Sequence, residues 1–237
     1  MNLTQMGIAA ITFDLDDTLW ACDPVINQAE HVYYQWLREH CPAACEMYTM
    51  DQLRERRREL LRSAPELSND VSEWRLRATR ELLEEFDTDP LLANDAFDSF
   101  LSARQQVEFY PDVLDALQEL SFHYRLGSLT NGNADLKRIG VDHLFDSALY
   151  ATLDLPAKPA PDMYKKACQE LGVSPESILH VGDNAITDIE GARKAGCRTA
   201  WINRGALIYP DNIAPADINI TTLDDLVALA PVIPRPM

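Results

Sequence analysis

Positive charge is scarce in this sequence. Lys and Arg total 21 against 38 Asp and Glu, only five of the 21 are lysines, and the formal net charge is −17. Such a surface repels nucleic-acid phosphates, which sets aside a DNA- or RNA-binding role. It also makes an anionic substrate awkward unless a bound divalent cation offsets the charge locally. Cysteine is sparse too: Cys22, Cys41, Cys45, Cys168 and Cys197 make an odd count with no Cys-x-x-Cys pair. That argues against a disulfide framework and for a reducing cytoplasm. Cys41 and Cys45 have no cluster of His or further Cys beside them and read as isolated thiols rather than zinc ligands. No long hydrophobic run is present, since the apolar stretch 8–13 is cut short by Asp14. Residues 1–7 lack the basic segment of a signal peptide. The expectation is a cytoplasmic protein, with neither nucleic acid nor membrane as partner.

What is there is an ordinary globular composition, 46% hydrophobic and 25% charged, over 237 residues, enough to bury a full core. No internal repeat is visible. Residues 8–13 predict a buried strand that ends abruptly in acidic residues. From about 23 to 106 no strand pattern occurs. Amphipathic stretches at 26–39, 51–62, 71–86 and 91–104 predict a helical bundle, with Pro42, Pro65 and Pro90 falling between them. Beyond Pro111 helix and strand alternate: helix 113–120, strand 124–129, a short strand 148–150, helix 161–171, strand 178–181, helix 186–195 ended by Gly196, and strand 197–202. That alternation predicts a parallel sheet with helices on both faces. The fold class is α/β, with a core built from 1–19 and 108–237 and a helical insert at 20–107.

Four polar spots follow or border the expected core strands, where open parallel sheets bind ligands. In Asp14-Leu15-Asp16-Asp17-Thr18, an extended chain puts Asp14 and Asp16 on one side, a pairing that allows one nucleophile and one general acid. A solvated loop or helix cap is the alternative, but charge at the end of a buried strand costs several kcal/mol without a partner. Thr130, Asn131 and Gly132 combine a hydroxyl, an amide and a flexible residue that can aim donors at phosphate oxygens; a plain turn would look the same. Lys158, in a stiff loop between prolines, can neutralise phosphate or carboxylates, or can be a surface lysine. Asp183 and Asp188 offer hard oxygen ligands for Mg²⁺, though Asp183 could instead cap the next helix.

Taken together and in this order, the four spots resemble the motif pattern of the haloacid dehalogenase (HAD) superfamily, with residues 11–19, 128–132, 158–159 and 182–188 as its first to fourth motifs. The resemblance spans the chain, and the insert resembles the family's C1 cap. It implies a Rossmann-like doubly wound sheet and a magnesium-dependent phosphatase acting on a small-molecule phosphate ester; the expected state is monomer or homodimer. It further implies that Asp14 attacks phosphorus to form an aspartyl-phosphate. Asp16 would protonate the leaving alkoxide and then activate water. Thr130, Asn131, Gly132 and nearby N–H groups would hold phosphate oxygens while Lys158 offsets negative charge. Mg²⁺ would be held by Asp14, Asp183 and the carbonyl of Asp16, with Asp188 in support through water. Haloacid dehalogenases lack an acid at the position of Asp16, because halide leaves without a proton, so Asp16 favours phosphate esters. A sugar phosphomutase would share these residues, and a non-catalytic binding protein of this fold would be expected to have lost Asp14 or Asp16.

Substrate choice is expected to reside in the cap. Its large aromatics are Trp20, Tyr33, Tyr34, Trp36 and Trp74, with Arg75 and Arg77 beside Trp74. Trp74 could stack on a flat heterocycle, or these rings could simply fill the bundle. The run 54–58 reads as a solvated helix face. Stretches 13–19, 23–26, 70–77, 129–133 and 179–183 also resemble a bacterial HAD phosphatase subgroup of riboflavin biosynthesis, which implies FMN or 5-amino-6-(5-phospho-D-ribitylamino)uracil as substrate.

Overall fold

A computed structural model describes residues 2–205 and 207–231; Met1, Ala206 and 232–237 of the expected core segments lie outside the described residues. Strand β1 (Ala10–Phe13) leads directly into five helices: α1 (Cys22–His40), α2 (Pro42–Met47), α3 (Met50–Ser63), α4 (Val71–Glu85) and α5 (Ala93–Arg104). Then follow α6 (Val113–Ser121), β2 (Arg125–Thr130), α7 (Leu136–Ile139), β3 (Ser147–Tyr150), α8 (Asp162–Leu171) and β4 (Ile178–Gly182). A wide helical turn at Ala185–Glu190 runs into α9 (Gly191–Lys194), and β5 (Arg198–Ile202), β6 (Ile218–Ile220) and α10 (Leu223–Val227) complete the chain.

The six strands make one parallel sheet in the order β3-β2-β1-β4-β5-β6. Alternation along the strands sends side chains to two faces. Ile11, Phe13, Leu126, Leu179 and Val181 pack with α6 and α10, whereas Ala10, Leu129 and Ile178 pack with α8. Helices thus cover both faces, as expected of a Rossmann-like doubly wound sheet. The insert holds a separate apolar cluster built from Ala29, Tyr33, Leu37, Leu83, Phe97 and Phe100 among others.

The helices start where the chain supplies caps. Thr49 and Gln52 form a reciprocal capping box on α3, and Asp70 accepts from the N–H groups of Ser72 and Glu73 at the start of α4. Pro42, expected only as a break, opens the extra short helix α2, because a first helical position needs no N–H. The expected helix 186–195 is not uniform. Its first turn is π-like, with Ile189 N–H reaching the Asn184 carbonyl at 3.3 Å, and this widening brings Asp188 back to the end of β4.

Candidate active site

Three neighbouring strands, β2, β1 and β4, end at one crevice, and β1 lies where the strand order turns. Asp14 follows β1, Thr130 closes β2 and Asp183 follows β4. The Lys158 Nζ donates to Asp14 Oδ1 and to Asp188 Oδ1, both at 2.7 Å. Residues from both ends of the chain therefore meet at one buried ammonium. Asp14, Asp183 and Asp188 bring carboxylate oxygens within 4.8 Å of one another.

Backbone geometry fixes this cluster. Asn131 grips the lysine segment from both sides, its Nδ2 donating to Lys158 O and its Oδ1 accepting from Lys158 N–H, each at 2.8 Å. The amide of Asn131 thus holds Lys158 in place, and its Nδ2 has a second hydrogen beyond the one given to the Lys158 carbonyl. Thr130 Oγ1 accepts from Gly132 N–H at 3.0 Å, which leaves its own proton free to be donated. Gly132 has no room for a side chain, since a Cβ there would lie 2.9 Å from Asp16 Oδ2. At Gly182 a Cβ would meet Asp188 Cγ at 2.4 Å, so only glycine lets Asp188 fold back. Asp188 Oδ2 accepts from Asn184 N–H at 2.9 Å, and Trp201 Nε1 pins the Asp183 carbonyl at 2.6 Å.

Asp16 lies across the crevice, held from the insert. Arg104, at the end of α5, donates Nη2 to both Asp16 oxygens at 2.7 Å, and Trp20 Nε1 donates to Oδ1 at 2.9 Å. Neither partner was legible as one. Arg104 lies 88 residues away, and Trp20, grouped above with the aromatics of the insert, packs instead in the core cluster edge-on to Phe109. The run 54–58 is not a wholly solvated face as expected: Arg57 is buried and pairs with Glu30, as does Arg75. Trp74 lines a cavity that opens onto Asp16, whereas Arg77 is exposed and pairs with Glu81.

The electrostatics follow from burial. One lysine faces three acids. Asp188 is buried, yet Lys158 and His180 hold its carboxyl below the usual range. Asp14 is pushed well above it by burial, which Lys158 only partly offsets, and by the charge of Asp188. Burial and then Asp188 push Asp183 up to about 7. For Lys158, burial works against the charged form, but Asp14 and Asp188 outweigh it and raise its pKa. An all-oxygen donor set with uncompensated negative charge is what a hard divalent cation fits.

The geometry gathers acidic side chains around one buried lysine at the mouth of an α/β sheet. A family profile for haloacid dehalogenase-like hydrolases matches residues 8–196, and the chain belongs to that family. It is similar to the 5-amino-6-(5-phospho-D-ribitylamino)uracil phosphatase of Escherichia coli, 32% identical with 82% of this chain and 83% of that protein covered. A glyceraldehyde 3-phosphate phosphatase of Methanopyrus kandleri is 30% identical over 84% and 85%. The structure of a 2-haloacid dehalogenase from Pseudomonas syringae superposes with a TM-score of 0.85, at 36% identity over 94% of this chain and 97% of that one. The named phosphatase relatives support a phosphatase enzyme.

Proposed function

We propose that the protein is a Mg²⁺-dependent phosphomonoester hydrolase working through an aspartyl-phosphate on Asp14. The observation that carries this is the pairing of two differently held carboxylates: Asp14 against Lys158 and the acidic cluster, Asp16 against Arg104 across the crevice. Asp14 attacks phosphorus in line and the phosphorus–oxygen bond to the alkoxide breaks. On substrate binding Asp16 exchanges its Arg104 contact for a proton, which it passes to the leaving alkoxide, and it then takes one from the water that cleaves the acyl phosphate. Thr130 and the N–H groups of the β2 loop bind phosphate oxygens, and Lys158 keeps Asp14 oriented while offsetting charge. A Mg²⁺ held by Asp14, Asp183 and the Asp16 carbonyl would neutralise charge that phosphate and carboxylates share. Asp188 already has both oxygens engaged, which suits a supporting place. A dehalogenase would need no proton donor opposite its nucleophile, so the presence of Asp16 favours an ester.

The substrate we propose is FMN or 5-amino-6-(5-phospho-D-ribitylamino)uracil, supported by the cap matches 23–26 and 70–77 and by the Escherichia coli relative. A phosphate-release panel containing FMN, sugar phosphates and a 2-haloacid tests both levels. Phosphate is expected from FMN faster than from sugar phosphates, with loss on chelation of the metal. Faster turnover of sugar phosphates removes the flavin reading, isomerisation without free phosphate identifies a mutase, and halide release without phosphate release removes the phosphatase reading.

Cation binding should also depend on pH in a defined direction. Asp183 has a raised pKa of about 7 without a cation, and a bound Mg²⁺ requires its charged form, so binding displaces a proton. Affinity is expected to rise with pH through that value. The Mg²⁺-induced shift in Tm, measured one pH unit below and one above, checks this; a shift independent of pH contradicts it.

A further inference from the structure

On its cap side, the cavity beside Asp16 is walled by arginine. A space of about 230 Å³ extends from Asp16 and Gly132 into the insert. Arg54, Arg57, Arg58, Arg75 and Arg104 line it, against two carboxylates, Asp16 and Glu30. Even with Arg58 paired outward to Glu55, the arginines outnumber the two carboxylates in a chain of net charge −17. Like charges gathered at one place repel unless something offsets them. Glu30 does so in part, its Oε1 meeting Arg75 Nη2 at 2.8 Å and also Arg57 Nη2. An excess of donors remains. Arg75 and Arg104 are 7% and 1% exposed, and each keeps a buried Nη1 with no hydrogen-bond partner, against one such acceptor, Glu30 Oε2. Burial and then the Arg57 charge pull the Arg75 guanidinium down to about 10. The walls are flat: Arg75 lies over the Phe100 ring, 3.5 Å from its centroid, and Trp74 is fixed by a 2.6 Å hydrogen bond to the Arg57 carbonyl.

We propose that this cavity selects the leaving group, taking one whose far end presents oxygen acceptors, the carbonyls of a planar dione or a carboxylate, to Arg75 and Arg104. The inference rests on the phosphatase reading above. A guanidinium carries N–H donors and no acceptor, so it meets carbonyl or carboxylate oxygens well. A polyol hydroxyl can accept from the same guanidinium N–H groups but must also place its own proton, and of the wall's acceptors Glu30 Oε1 and both Asp16 oxygens are engaged, which leaves Glu30 Oε2 alone. Unpaired polar groups in a closed site are what gives strong discrimination.

Phosphate release by the full chain with Mg²⁺ tests this, with three substrates compared: FMN for the dione, 3-phosphoglycerate for the carboxylate and ribitol 5-phosphate for the polyol. The parent enzyme is expected to favour FMN or 3-phosphoglycerate over ribitol 5-phosphate by about tenfold or more in kcat/KM, and the favoured arm names the source of the oxygens. In Arg75→Met combined with Glu30→Gln, which leaves no carboxylate buried alone, that ratio falls to within about threefold, as expected when a charged hydrogen bond is lost. Should the double variant not fold, Arg75→Lys, which keeps the charge and loses the fork, must lower the same ratio. Equal rates on all three substrates in the parent, or an unchanged ratio in the variants, overturns the inference and leaves the phosphatase reading standing. Absence of phosphate from all three and from p-nitrophenyl phosphate brings down the phosphatase reading itself.

Discussion

Asp14→Asn is expected to lower kcat by at least about 10⁴-fold, as losses of covalent nucleophiles do, while leaving the fold intact. The reason lies in the charge balance at the crevice. Asp14 has a raised pKa, set mainly by burial and only partly relieved by Lys158. A carboxyl whose folded pKa is raised opposes folding once pH exceeds its unfolded value, because the folded state disfavours the charged form. Asn removes that cost and leaves Lys158 paired with Asp188 at 2.7 Å. Without metal, the Tm of Asp14→Asn should therefore match or exceed that of the parent at neutral pH. With Mg²⁺ present the parent should gain stability and the variant much less, since one anionic donor has gone. Activity measured beside a thermal melt separates these effects. Residual turnover above about a tenth of the parent would remove Asp14 from the nucleophile's place, since such losses are normally far larger.

Lys158→Met should have the largest effect on stability. The Lys158 side chain is 1% exposed and its Nζ bridges Asp14 and Asp188, so its loss leaves two carboxylates without their counter-charge. Removing one partner of a buried ion pair costs about 3–5 kcal/mol, which for a chain of this length corresponds to a Tm lower by roughly 10 °C. The sign with pH is fixed by Asp188. Lys158 and His180 depress its folded pKa, so the stability it contributes is present above the unfolded carboxyl value and is lost as pH falls towards the folded one. The gap between parent and Lys158→Met should then be widest near neutrality and should narrow in acid. Added Mg²⁺ should recover part of the stability and little of the activity, because a cation replaces charge without restoring the orientation of Asp14. An equal gap at all pH values would mean that packing, not charge, is what Lys158 supplies.

Asp14, Thr130 and Asp183 end or follow strands, positions that a parallel sheet gathers at one edge, but it was the resemblance to the four family motifs that joined them to Asp16, Lys158 and Asp188 as one set. The alternation of faces was equally readable, since Ile11 and Phe13 against Ala10 follow directly from the two-residue period. What stayed hidden depends on contacts made at a distance. Nothing in the spacing joins Arg104 to Asp16, and the double grip of Asn131 on Lys158 looks like any Asn-Gly turn until the loops are in place. Arg57 sat in a run of charge that reads as solvated, but its helix turns it towards Glu30. Strand β6 has three residues and α10 five, too short for periodicity to register.

Whether Asp14 carries the phosphoryl group covalently is read most directly in Asp16→Asn. With p-nitrophenyl phosphate the leaving group departs without needing a proton, so the first step no longer depends on Asp16. The second step still needs a base to activate water, and Asn supplies none. A burst of p-nitrophenolate equal to the enzyme present, followed by a stall, is expected, with a phosphoryl mass adduct on the peptide containing Asp14 after acid quenching. Slow steady turnover with no burst and no adduct, or an adduct on a different residue, would contradict the mechanism.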